Sequence, residues 1–236
     1  MTRLVRRREP ELMDQPDLAP AAHDAALEGL ERINRWSAAE AALRRPVLAL
    51  AHRVRDEGGP PLTLLDVACG GGDVPIALWK DARRERVPLE VAAIDRSPQA
   101  VAHAQAAAAR AGAAVRVWTR DACDGRPLPP ADVVTCSLFL HHLEPETAVA
   151  LLAALGAAAQ RMLLVSDLRR TVTGLVLALA VPRLLSRSPV VHADAPASAR
   201  AAWSPGELIA LAERAGLAGA QVQRIFPQRM LLTWTR

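Results

Sequence analysis

Ten consecutive residues, Leu64-Leu65-Asp66-Val67-Ala68-Cys69-Gly70-Gly71-Gly72-Asp73, carry the strongest chemical signal in the chain. Three successive glycines let a backbone turn sharply and approach a ligand with no Cβ in the way. Asp95 stands 29 residues after Asp66, at the end of the next apolar run. A carboxylate there can accept both hydroxyls of a ribose. A second signal is the pair His141-His142 within Ser137-Leu138-Phe139-Leu140-His141-His142-Leu143-Glu144. Imidazole titrates near neutrality, so either ring can take a proton from a reacting group. His192, in Val190-Val191-His192-Ala193-Asp194, is a third candidate, with Asp194 near enough in sequence to orient it.

The glycine turn does not fit a dinucleotide site. That fingerprint is G-x-G-x-x-G, with a helix N-terminus facing the pyrophosphate. Here the glycines are consecutive, and Asp66 and Asp73 flank them. Two carboxylates would repel a pyrophosphate. They suit a cationic ligand that carries an amino group and a sulfonium.

These residues need a scaffold that sets strand tips beside helix starts, and the apolar pattern supplies one. Strands are predicted at 62–68, 89–94, 115–119, 133–138 and 162–166, alternating with helices at 74–84, 98–111 and 144–159. That alternation means βαβ units in a doubly wound α/β sheet, mostly parallel, with the ligand at the carboxyl ends of the strands. Residues 221–226 and 229–234 read as a C-terminal antiparallel hairpin, which brings the strands to seven. Ser204-Pro205-Gly206-Glu207 opens a helix as a capping box with proline at its first position. Before the first strand, Ala25, Leu27, Leu30, Ile33 and Trp36 recur on one helix face. Ser37 is expected to cap a second helix that carries Leu43, Val47, Leu48, Leu50 and Val54, with Pro46 as a kink. Val172–Leu185 is an apolar insert too short to span a bilayer. Pro189–Arg200 reads as irregular.

Composition narrows the class. With 236 residues, 51% hydrophobic and 23% charged, the chain can bury a core and is not disordered. Three cysteines, none in a C-x-x-C pair, exclude a disulfide framework and a structural zinc site. The first residues lack the apolar stretch of a secretory signal, so a cytoplasmic location is expected. The net charge is +4, and Lys80 is the only lysine. Arginines fall in twos and threes (Arg6 to Arg8, Arg44-Arg45, Arg83-Arg84, Arg169-Arg170), as expected of solvated helix faces rather than of a nucleic-acid patch.

The segment around Asp66 to Asp73 resembles motif I of the class I S-adenosylmethionine-dependent methyltransferases, roughly D-x-G-x-G-x-G, over about Leu62 to Asp167. Ala68 stands where that pattern has its first glycine. The resemblance implies a methyltransferase domain at 58–236, with an apolar insert at about 170–203 and an N-terminal helical cover at 1–57. It implies S-adenosylmethionine as cofactor. The turn Ala68–Gly72, with Gly70 and Gly72 and with Asp66 beside it, would hold the methionine part. Asp95 would hold the ribose hydroxyls. Arg96, Asp121 and Ala122 would surround the adenine, and Ser137 and Leu138 would line the floor near the methyl.

The same resemblance places His141 where phenolic O-methyltransferases carry a catalytic histidine, with His142 and His192 as further candidates. O-methylation of a small, apolar phenolic, polyketide or quinone-like acceptor of secondary metabolism is the favoured reading. C- or N-methylation of a small molecule and RNA or DNA methylation are the alternatives. For the nucleic-acid reading, Ser137-Leu138-Phe139-Leu140 lacks the N/D-P-P-Y/F loop of base-amine methylation, and Cys136 follows threonine within a strand. With 3% aromatics and no tyrosine, base-stacking platforms are scarce. No metal is expected, because Asp167 at the end of the fifth strand lacks a convincing partner. Val172–Leu185 is expected to pack on the domain, line an apolar pocket, or meet a partner or a membrane surface.

Overall fold

The computed structural model describes residues 4–15, 17–36 and 40–236. Ser37, the expected cap, lies outside them. In chain order the elements are a 3-10 turn (Leu12–Asp14), α1 (Pro20–Trp36), α2 (Ala41–Asp56), β1 (Leu62–Val67), α3 (Asp73–Arg84), β2 (Leu89–Asp95), α4 (Pro98–Arg110), β3 (Val115–Thr119) and β4 (Ala131–Ser137). A second 3-10 turn (Leu140–His142) follows, then α5 (Pro145–Ala158), β5 (Ala159–Leu168), α6 (Val172–Leu185), α7 (Pro189–Ala201), α8 (Pro205–Arg214), β6 (Gln221–Ile225) and β7 (Arg229–Thr235).

The seven strands form one sheet in the order β3-β2-β1-β4-β5-β7-β6. The first five run parallel, and β7 inserts antiparallel between β5 and β6. The order reverses between β1 and β4, so the crevice at their carboxyl ends is the switch point where such sheets bind ligands. Register sets the site: Asp66 lies beside Thr135, and Ser137 beside Ser166.

Central strands buried on both faces read as unbroken apolar runs, which is why β1 and β4 are so legible. On one face α5 and α8 bury Leu151, Leu152, Leu155 and Leu208. On the other, α2 and α3 bury Leu43, Val47 and Leu78, so α2 closes the core. α4 packs Val101 and Ala104 on a smaller cluster. The α8 capping box forms as expected, Ser204 and Glu207 bonding reciprocally.

One expectation is corrected. Residues 189–200 are not irregular but form α7, although Pro196 lies inside it. Ser188 caps the helix, Pro189 takes the first position, and Val190, Val191 and Ala199 are buried. A mid-helix proline costs about 3 kcal/mol. Burial of this face against α1 offsets that cost, and no local signal reports it.

Candidate active site

A cavity of about 1510 Å³ opens at the carboxyl ends of the parallel strands. Asp66, Ala68, Gly70, Asp95, Arg96, Asp121, Ala122, Ser137, Leu138, His141 and His142 all line it. α1, α6 and α7 roof it through residues such as Leu27, Leu177 and Ala199. Gly72 and His192 do not line it.

The turn after β1 is held in left-handed conformations. Ala68 has φ 57°, Gly70 52° and Gly72 80°. A Cβ on Gly70 would meet nothing within 4 Å, so that glycine opens onto the cavity. A Cβ on Gly72 would come 2.9 Å from that of Ala104. Gly72 is therefore needed for packing against α4 rather than for facing a ligand. Ala68 and Leu138 (φ 54°) are non-glycine residues in the left-handed region, at the tips of β1 and β4 on either side of the switch point. Such strain gathers at functional sites.

Asp95 staples this turn. Its Oδ2 accepts from the Gly70 N–H at 2.8 Å and its Oδ1 from the Ser97 N–H at 2.9 Å. Each carboxylate oxygen keeps a lone pair for a ligand hydroxyl. Asp66 is buried and accepts from Thr135 Oγ1 at 2.6 Å. Burial pushes its carboxyl up to about 7, with Asp73 and Asp95 adding repulsion. Burial also raises Asp73, against the bond donated by Asn34 Nδ2 at 2.9 Å. Asn34 Oδ1 accepts from Arg229 Nη2 at 2.9 Å, which ties α1 to β7. Burial lowers Arg229 to about 10, while Asp167 and Asp73 favour its charge. Asp121 Oδ1 caps the next loop by accepting from the Cys123 N–H at 2.8 Å. Ser137 Oγ is buried in the cavity wall without a hydrogen-bond partner among the described residues.

Past the tip of β4, His141 sits on the 3-10 turn. Its Nδ1 lies 2.6 Å from Asp167 Oδ1, and its backbone N–H donates to Asp167 Oδ2 at 3.0 Å. Burial alone would raise Asp167; the charge and hydrogen bond of His141 and the Leu168 N–H outweigh it and leave the carboxyl lowered. The sequence offers Asp167 no carboxylate partner for a metal; its side-chain neighbour is His141. The His142 ring stacks on His141, with centroids 4.3 Å apart.

The N-terminal segment contributes a group that sequence reasoning missed. Glu11 Oε1 lies 3.9 Å from His141 Nε2 and 3.8 Å from His142 Nδ1, and accepts from Ser198 Oγ at 2.5 Å. Asp194 holds the strap in place by accepting from the Leu12 and Met13 N–H groups at 2.8 and 3.0 Å. Arg6 donates to the carbonyls of His141, Leu143 and Ala201, and its guanidinium lies 3.6 Å from the Trp203 ring centroid. Arg6, expected on a solvated face, is therefore a clasp. Glu11, His141 and His142 offer three atoms that could ligate a metal, all within 4.8 Å of one another. His192 is placed elsewhere: it lies on α7, its Nε2 meets the Ser186 carbonyl at 2.8 Å, and Asp194 serves the strap instead.

A ligand-sized cleft at the switch point, an open left-handed glycine and a buried carboxylate cluster fit a cationic nucleoside cofactor. Residues 64–160 match the family described as methyltransferase domain. No curated protein sequence matches the chain. Among solved structures, magnesium protoporphyrin IX methyltransferase from Synechocystis with bound S-adenosylhomocysteine superposes with a TM-score of 0.54 at 21% identity, covering 82% of this chain and 83% of that one. A methyltransferase from Aquifex aeolicus gives 0.53 at 20%, covering 78% and 88%. The mitomycin 7-O-methyltransferase gives 0.55 at 20%, covering 75% of this chain and 49% of that one. The fold is that of the class I methyltransferases. Residues 64–160 thus carry the match to a methyltransferase domain on this fold.

Proposed function

We propose that the chain O-methylates a small, apolar, hydroxylated acceptor of phenolic, quinone-like or polyketide type in the cytoplasm, with His141 as general base. The observation that carries this reading is the buried contact between His141 Nδ1 and Asp167 in a residue that lines the cavity, which leaves Nε2, 3.9 Å from Glu11 Oε1, for an acceptor. Asp167 fixes the tautomer and stabilises the imidazolium once Nε2 has taken the acceptor's proton. His142 and Glu11 flank that nitrogen and orient the hydroxyl. The mitomycin enzyme's O-methylation supports the choice of oxygen.

S-adenosylmethionine supplies the methyl as an electrophilic carbon on a sulfonium. Asp66 and Asp73 give that end of the cavity negative charge, and Gly70 and Ala68 allow close approach. Asp95 meets the ribose hydroxyls. Arg96, Asp121 and Ala122 surround the adenine, and Ser137 and Leu138 form the floor. Residues 1–57 and the insert at about 170–203 cover a methyltransferase domain at 58–236, with α1, α6 and α7 shielding the acceptor from water. The test is transfer of labelled methyl to a panel of phenols, quinols and hydroxylated polyketides. Label on an acceptor oxygen in wild type, lost in His141→Ala with cofactor affinity intact, is expected. Full turnover by His141→Ala would remove His141 from the role.

A further inference from the structure

We infer that α6 and the β6–β7 turn form a docking surface for an anionic lipid bilayer, set around the mouth of the acceptor cavity. Val172, Val176, Leu179, Leu184 and Phe226 are exposed, Leu184 by 84% and Phe226 by 85%. Val172, Val176 and Leu179 follow the spacing of one helix face. The turn abuts the start of α6: Gln228 Oε1 accepts from Thr171 Oγ1 at 2.7 Å. The inner side of the same helix, through Leu177, Ala178 and Val181, lines the cavity together with Pro227. One short helix thus shows apolar groups both to the cavity and to the outside.

Charge decides the occupant. Between Asp167 and Asp194 there is no acidic residue, while Arg169, Arg170, Arg183 and Arg187 are all present. Arg183, one turn past Leu179 on the same face, and Arg187, two residues beyond the helix, are exposed, and Arg224 is exposed two residues before Phe226. Arg32 reaches the Leu185 carbonyl at 2.9 Å, with Glu28 4.0 Å away on the same α1 face. A second copy meeting this patch across a two-fold axis would set arginine against arginine. An apolar stripe edged by arginine fits a helix lying in the plane of an anionic leaflet. No helix among the described residues is long and apolar enough to cross a membrane, so the contact is one of surface. An apolar acceptor dissolved in the leaflet would then reach the cavity without crossing water.

The test is flotation of the whole chain with vesicles of phosphatidylglycerol and phosphatidylcholine in about equal parts, and with phosphatidylcholine alone. Each arginine near an anionic leaflet strengthens binding roughly fivefold. Binding to the mixed vesicles, weak on phosphatidylcholine and lost in high salt, is expected. Arg183→Glu with Arg187→Glu should weaken it at least twenty-five-fold in the same estimate. Val176→Asp with Leu179→Asp should abolish it. Both double variants should bind S-adenosylhomocysteine as wild type does, which shows that they are folded. Absence of wild-type binding to the mixed vesicles, or equal binding by the variants, would overturn the inference. So would a concentration-dependent dimer dissolved by Val176→Asp with Leu179→Asp. These readouts involve no turnover, so they stand apart from the role of His141.

Discussion

Asp167 holds His141 twice, its Oδ1 2.6 Å from the ring Nδ1 and its Oδ2 3.0 Å from the backbone nitrogen. The two residues are 26 positions apart and both are buried. Parallel pairing of β4 with β5 brings them together, because Ser137 pairs with Ser166 at the tips of those strands. An imidazole so fixed cannot swing freely about its Cα–Cβ bond.

Asp167→Asn keeps the shape and removes the charge that favours the imidazolium. Turnover should fall roughly a hundredfold or more, within the range of general-base contributions. Affinity for S-adenosylhomocysteine should stay unchanged by calorimetry. If turnover and affinity fell together, Asp167 would be holding the site together rather than positioning the base.

Cofactor binding should depend on pH through Asp66. Its folded value of about 7 lies above the ordinary carboxylate value because of burial. Between the unfolded value and about 7 the folded chain holds the extra proton, so stability of the free protein falls as pH rises through that window and levels off above it. A cationic ligand favours the ionised carboxylate. Affinity for S-adenosylhomocysteine, which keeps the amino group, should therefore rise up to about tenfold per pH unit below 7 and flatten above it. Asp66→Asn should flatten both profiles. A pH-independent wild-type affinity would show that Asp66 does not sense the ligand.

Gly72→Ala tests packing rather than contact. The added methyl meets Ala104 at 2.9 Å, and φ of 80° disfavours any side chain. The cost should reach about 2 kcal/mol or more, which is a fall in Tm of several degrees. Ala68→Gly should act in the opposite direction, relieving a left-handed alanine by up to about 1 kcal/mol. Thermal melts of the two variants check the pair, and equal melting temperatures would contradict the turn geometry.

Glu11, His141 and His142 have the donor types of a metal centre. With metal–nitrogen distances of about 2.1 Å, oxygen–nitrogen separations of 3.8 and 3.9 Å would force wide angles at an ion, and Ser198 already donates to the same Glu11 oxygen. Turnover should therefore survive dialysis against a chelator. Loss on chelation with recovery in Zn²⁺ would make the cluster a metal centre and not a proton-transfer site.

The sheet and the glycine turn were legible because their signals are local. Buried central strands read as apolar runs, and the turn needs glycine where it opens to the cavity. The histidine site was only half legible. His141 stands out by residue type and position, but its partners arrive from Asp167 in the next strand and from Glu11 on a strap 130 residues earlier in the chain. Arg6 looks solvated in sequence because nothing nearby hints at Trp203. Asp194 stands beside His192 in sequence, yet the helical geometry of α7 gives it to the strap instead.

Calorimetric titration with S-adenosylhomocysteine, wild type against Asp95→Ala and His141→Ala, tests the site most directly. The expected result is one saturable event in wild type, kept by His141→Ala and weakened at least tenfold by Asp95→Ala in a chain that still melts cooperatively. No binding by wild type, or binding indifferent to Asp95, would contradict the placement of the cofactor at the turn after β1.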